Sequence, residues 1–253
     1  IFVENKKRTD SSDQLDVNLY KAKKLVDNKF DFERELYCCS FSADTIVYKG
    51  LVMPSEFDSF YTDLSDTSHR TASVMFHIRF STNTSPKWHL AQPYRVIAHN
   101  GEINTISGNR NWALARMNNL SSKRFGNMRK YQPLVNQSGS DSSSLDNMIE
   151  VLKEGGVNIG RAARMLIPPS WQNTDLMDSD EKAFHEYNSM HMEAWDGPAL
   201  ICFQDKNFLS CFLDRNGLRP AKIEFFNDET VCISSEFGSN NDNLKTIKTD
   251  RLG

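Results

Sequence analysis

Two short apolar runs carry the groups best suited to chemistry: Arg79 lies near the end of VMFHIRF, and Asn100-Gly101 closes RVIAHNG. Alternation in the first run predicts a strand that buries Val74, Phe76, Ile78 and Phe80 on one face and turns Met75, His77 and Arg79 to the other. A guanidinium leaving a hydrophobic segment needs an anionic partner, and its fork of donors matches a carboxylate bidentately. In the second run, the Asn100 amide and a Gly101 N–H unshielded by any Cβ can both point at one developing oxyanion. Together these suit a small zwitterionic acyl substrate. A structural arginine paired with a buried carboxylate, and an ordinary Asn-Gly turn, would use the same residues. A third candidate, Asp141, opens the clearest helix in the chain, where the dipole favours an acid and where Ser140, Asp141 and Ser142 compete to cap it.

These residues need a scaffold of mixed helix and strand. Leu145, Met148, Ile149 and Leu152 recur at helical spacing after Ser140, and Gly155-Gly156 ends the run. Further helices are expected over 57–64, over 106–117 with Trp112, Ala115 and Met117 inward, over 158–166 ahead of Pro168-Pro169, and over 178–194 with Ala183, Tyr187, Met190 and Ala194 inward. Residues 36–41 and 45–52 read as a hairpin, and strands are expected at 199–204, 208–213, 221–226 and 230–235. Residues 1–30 are polar, with Leu15, Val17, Leu19, Leu25 and Val26 as sparse apolar positions, and read as an exposed connector or helix entered after a loop at 10–13. DRNGLRP and WDGP look structural first: Asp214 with Arg215 or Arg219 suits a buried ion pair at a corner, and an interface with another domain is the alternative.

Composition narrows the class. A chain of 253 residues that is 39% hydrophobic can bury one large core. A net charge of -3 gives no electrostatic footprint for nucleic acid or an anionic membrane, and no apolar run approaches the ~20 residues of a membrane span. The five cysteines, 38, 39, 202, 211 and 232, show no CxxC spacing, so buried thiols in a reducing compartment are expected, the cytoplasm or a plastid, and no metal site.

RFSTNT, AHNGEINT and SGSDSSSLDN resemble the class II glutamine amidotransferase domain of the glutamate synthase family. The wider group, including glucosamine phosphate synthase and glutamine phosphoribosyl amidotransferase, shares an arginine strand and an HNG turn, but the long forms here are similar to the glutamate synthases. LYCCSFSADTIVYKGLV, LAQPYRV, EAWDGPA, DRNGLRPA and SSEFG carry the resemblance over 36–238. It implies an α+β fold, the αββα four-layer sandwich of N-terminal nucleophile hydrolases, incomplete at the N-terminus. Residues 1–253 would be the C-terminal portion of that one domain.

The resemblance also implies roles. Arg79 would bind the α-carboxylate of L-glutamine and Asp141 its α-ammonium, with Thr82 and Asn83 in the substrate loop; Asn83 stands where several relatives carry a histidine. Asn100 and Gly101 would form the oxyanion hole, and His99, Glu102 and Asn104 would support the site loops. His77 and His99 are expected to be hydrogen-bonded strand histidines, because the family's base is the free α-amine of a first-residue cysteine nucleophile. Position 1 here is Ile1, and none of the five cysteines sits beside a free amine, so the nucleophile is expected upstream and this chain alone is expected to be inactive. The implied reaction hydrolyses glutamine through a thioester and passes ammonia to a synthase flavin domain that aminates 2-oxoglutarate. FMN and an iron-sulfur cluster belong to other domains, and no cofactor motif lies in this chain. The alternatives are a catalytically silent glutamine-binding or structural piece and, more distantly, another class II amidotransferase.

Overall fold

The computed structural model describes residues 12–30, 35–79, 85–175, 177–236 and 244–252. In chain order they form α1 (Ser12–Asp27), a one-turn α2 (Phe57–Phe60) between 3-10 turns, β1 (Ile97–Gly101), α3 (Ile106–Arg116), α4 (Asp141–Glu154), α5 (Ile159–Leu166), α6 (Ser179–Ser189), β2 (Ala199–Gln204), β3 (Leu209–Leu213), β4 (Ala221–Phe226), β5 (Val231–Ser234) and β6 (Thr246–Leu252). Two antiparallel sheets result, ordered β1-β2-β3 and β5-β4-β6. Among the described residues no helix is long and apolar enough to cross a membrane.

The helix that carries Asp141 is the centre of the core. Ser140 is its N-cap, its hydroxyl accepting the Ser143 N–H at 3.0 Å, which settles the competition among the three capping candidates. Leu145, Met148 and Ile149 are buried on the face expected from their spacing and pack with Ile97, Ile201, Phe203, Leu166 and Trp195. Burial of each such side chain contributes roughly 1.5–3 kcal/mol. Helix α5 lies within the expected 158–166 and is capped by Asn158, β2 to β5 lie within a residue of their expected ranges, and β6 pairs with β4 unforeseen.

Residues at the N-terminal end depart from expectation. Helix α1 is no exposed connector: Val17, Tyr20, Lys23 and Lys24 are buried against α4 and its surroundings. Beside Val17 and Tyr20, Lys23 of α1 pairs with Glu150 of α4, and Arg95 lies 3.7 Å from Asp146 nearby, so part of the contact is made by opposite charges, which a search for apolar periodicity passes over. Burial raises the Asp146 carboxyl against the pull of Arg95; for Glu150 burial is outweighed by Lys23 and Arg95, and its pKa falls.

Among the described residues, the expected hairpin over 36–41 and 45–52 and the expected strand over 74–79 form no ladder. A cavity of about 1330 Å³ is lined by residues of these segments, and Asp16 pins the intervening turn by accepting the Ala43 N–H at 3.1 Å. The alternation in VMFHIRF is real but its faces are exchanged. Val74, Phe76 and Ile78 are 65%, 55% and 72% exposed, whereas Met75 and His77 are half-buried, and all five border the cavity. The helix expected over 57–64 is broken into α2 and a 3-10 turn.

Two helices are rotated from their expected phase. In α3 the buried residues are Asn109 and Ala113, Met117 packs against the core as expected, and Trp112 and Ala115 are exposed; Asn109 donates to the Ala194 carbonyl at 2.9 Å, and Arg116 stacks over the Trp112 ring. In α6, His185 and Asn188 are buried, while Ala183, Tyr187 and Met190 face outward, and the helix stops at Ser189. A buried asparagine in each helix finds a backbone partner where an apolar residue was expected, Asn109 donating to the Ala194 carbonyl and Asn188 to that of Phe184.

Candidate active site

Backbone groups along a strand alternate between its two edges. Those of Ala98 and Asn100 face β2, where they oppose Cys202 and Leu200. Ile97 and His99 turn theirs to the outer edge. There Ile97 receives the Tyr94 N–H at 2.8 Å and donates to Asp146, and Gln92 behaves like a strand residue, accepting the His99 N–H at 2.7 Å and donating to its carbonyl at 2.9 Å. The same alternation sends the Gly101 N–H to this outer edge, where no strand among the described residues pairs with it.

Gly101 must be glycine. Its φ is +143°, and a Cβ there would stand 1.9 Å from the Pro198 carbonyl oxygen. The following residues are stitched to the same segment: Glu102 N–H donates to Pro198 O at 3.1 Å and Asn104 N–H to Asp196 O at 2.7 Å, and a Cβ on Gly197 would meet Glu102 O at 1.7 Å. WDGP is therefore the other half of the HNGEINT turn, a structural role. Glu102 and Asn104 are exposed, and it is their backbone N–H groups that make these two contacts.

The opposite flank of the turn is held by α4. Asp141 is not the helix cap; its Oδ2 accepts the Ile103 N–H at 2.7 Å, and its Oδ1 accepts the Ser142 N–H at 2.7 Å. Ser142 in turn bonds His99 Nδ1 at 2.7 Å. Burial drives the His99 pKa down from 6.5 to about 4, against the opposing pull of Asp141, so the ring is neutral. His77 is lowered too, by burial and by the charges of Arg79 and Arg219, with its Nδ1 accepting the Arg79 N–H at 3.1 Å.

Arg79, His77, His99, Asp141 and Arg219 thus lie in one electrostatic neighbourhood. Arg79 is exposed, borders the large cavity beside His77 and Gln92, and has no carboxylate partner among the described residues. Asn100 and Asp141 do not line that cavity. Thr82, Asn83 and Phe80 lie outside the described residues.

Because His99 points to α4, Asn100 points from the other face of its sheet, and there it meets the second sheet. Its Nδ2 donates to Ser235 Oγ at 2.7 Å and lies 3.4 Å from Glu236 Oε1, which Arg219 holds at 3.2 Å. Ser235 and Arg219 were missed as site residues, though both stand beside strand ends in motifs of unusual polarity, SSEFG and DRNGLRP. The expected Asp214 ion pair is absent. Asp214 instead collects the backbone N–H groups of Ala199, Asn216, Leu218 and Arg219, which outweigh burial and lower its pKa, while Arg215 forks onto Asp196.

All five cysteines are free and half-buried. Burial raises the thiols of Cys38, Cys39 and Cys232, while Cys202 and Cys211, directly opposed on β2 and β3, share one hydrogen bond at 2.9 Å that lowers the first and raises the second. Among the described residues no cluster of His, Cys, Asp or Glu could hold a metal ion.

The family model for glutamine amidotransferases class-II matches residues 1–253. The chain belongs to the class II glutamine amidotransferases. It is 46% identical over 205 residues to the glutamate synthase [NADPH] large chain of Bacillus subtilis, covering 81% of this chain and 14% of that protein. It is 40% identical over 230 residues to the glutamate synthase [NADH] of Schizosaccharomyces pombe, covering 90% and 11%, and 40% identical over 249 residues to the ferredoxin-dependent glutamate synthase of Antithamnion sp., covering 95% and 16%. The chain therefore spans a small part of the length of these relatives. Within a class II amidotransferase, the turn joining β1 to α3 and the N-terminus of α4 are the described elements that bring amide donors and a carboxylate together.

Proposed function

We propose that this chain supplies the glutamine-binding and oxyanion-stabilising part of the glutaminase site of a glutamate synthase. Arg79 forks onto the α-carboxylate of L-glutamine, Asp141 pairs with its α-ammonium, and the Asn100 amide with the Gly101 N–H receives the charge that develops on the amide oxygen. Thr82 and Asn83 belong to the same substrate loop, and His99, Glu102 and Asn104 hold the turn. The observation that carries this reading is the geometry of Gly101: the turn is clamped on Pro198 so that its N–H faces outward next to Asn100.

In this reading attack comes from a cysteine outside the 253 residues, because burial raises the thiols of Cys38, Cys39 and Cys232, and Cys202 and Cys211 are hydrogen-bonded to each other. Glutamine is cleaved to glutamate and ammonia through a thioester, and ammonia passes to a flavin domain that aminates 2-oxoglutarate, FMN and the iron-sulfur cluster residing there. The described layers, helices on one face of β1-β2-β3 and a second sheet reaching Asn100 from the other, belong to an αββα sandwich of which residues 1–253 form the C-terminal portion.

Steady-state kinetics of the full-length enzyme test the reading. Arg79→Lys should weaken glutamine use by roughly 1.5–3 kcal/mol. Asp141→Asn should do similar harm with glutamine and little with an analogue lacking the α-amino group. Equal losses with and without that group would assign Asp141 to the fold alone.

A further inference from the structure

The two C-terminal motifs that the proposed glutaminase site leaves without a role converge on one of its atoms. Asn100 Nδ2 carries two hydrogens. Ser235 Oγ accepts at 2.7 Å, a full-strength contact, whereas Glu236 Oε1 lies at 3.4 Å, near the outer limit for a hydrogen bond. Arg219 holds that carboxylate at 3.2 Å. The strong contact fixes the plane of the amide. The weak one leaves the second hydrogen in a position from which a better acceptor can displace it.

From this we propose that Ser235 is a positioning residue for the oxyanion hole. It anchors one hydrogen of the Asn100 amide so that the other is aimed before the reaction at the oxygen that becomes negative, with Glu236 as the occupant that oxygen displaces and Arg219 as the counter-charge that draws the carboxylate aside. The inference rests on the glutaminase reading above. A preoriented donor costs no reorganisation as charge develops, whereas a freely rotating Asn100 would have to be frozen in each turnover. Asn100 stands on β1 and Ser235 follows β5 of the other sheet, so the donor is set by a contact between sheets as well as by its own turn.

The test is a double-mutant cycle in the full-length enzyme. Ser235→Ala should lower kcat with glutamine about three- to tenfold, as expected for one hydrogen bond, with KM little changed. Ser235→Thr, which keeps the hydroxyl, should recover most of the loss. With ammonium as nitrogen donor the Ser235→Ala variant should turn over like the parent. In an Asn100→Ala background, Ser235→Ala should cost nothing more, because it acts through the missing amide. Fully additive losses, or equal losses with both donors, would overturn the proposal and leave Ser235 a fold residue. An Asn100→Ala enzyme with unchanged kcat would instead remove the oxyanion reading itself, a failure distinguishable from the other two.

Discussion

The carboxylate of Asp141 accepts the backbone N–H of Ile103 at 2.7 Å, tying the first residue of the central helix to the turn that presents Asn100 and Gly101. A substrate ammonium at Asp141 would therefore be registered against the oxyanion donors through one hydrogen bond. Asp141→Ala should lose about 1.5–3 kcal/mol of stability, the range for a hydrogen bond to a charged group. Urea unfolding of the full-length protein checks this; a change below ~0.5 kcal/mol would show the contact to be idle.

Gly101→Ala should be far more damaging. A methyl group 1.9 Å from the Pro198 oxygen cannot be accommodated without moving the backbone, and φ of +143° is strained for any L-residue. A loss of about 3 kcal/mol or more is expected, with glutaminase turnover falling further than stability alone explains. Thermal unfolding and kinetics on the surviving folded fraction separate the two effects.

Much of this was legible in the residues. The helix after Ser140 combined a cap, an apolar spacing and a glycine stop that agreed with one another, and the C-terminal strands had turn residues to delimit them. Arg79 and Asn100-Gly101 stood out because a charge and an uncovered amide at the ends of apolar runs need a reason. What escaped was contact between distant segments. Nothing local says that Lys23 will meet Glu150, that Gln92 will complete the edge of β1, or that Ser235 will reach Asn100. The inverted faces of VMFHIRF have the same origin: alternation gives the period of a strand, while its neighbours decide which face is buried.

Acid should weaken the fold through His99. Its folded pKa, about 4, lies below the usual 6.5, so between these values the unfolded chain takes up a proton that the folded chain refuses. Its contribution is complete above pH 6.5 and is lost as pH falls toward 4, on the order of 3 kcal/mol at most. His77 and His185 are lowered as well and add to the slope. His99→Gln should flatten the stability profile across this window in denaturant titrations; an unchanged slope would contradict a buried neutral ring.

No cysteine of this chain should serve as the nucleophile. An electrophilic glutamine analogue should leave Cys38, Cys39, Cys202, Cys211 and Cys232 unlabelled at stoichiometric dose, because burial raises the thiols of Cys38, Cys39 and Cys232, and Cys202 and Cys211 are hydrogen-bonded to each other. Peptide mapping by mass spectrometry gives the answer. Labelling of any one of them that glutamine prevents would move the nucleophile into this chain.

The most direct measurement compares two nitrogen donors in the full-length Asn100→Ala enzyme. Its amide is assigned to oxygen charge that exists only during attack, so kcat with glutamine should fall by about 10² to 10³ with little change in glutamine affinity. In the proposed reaction ammonium would enter after that step, so it should be used as by the parent enzyme. A raised KM with unchanged kcat, or equal loss with both donors, would contradict an oxyanion hole at Asn100.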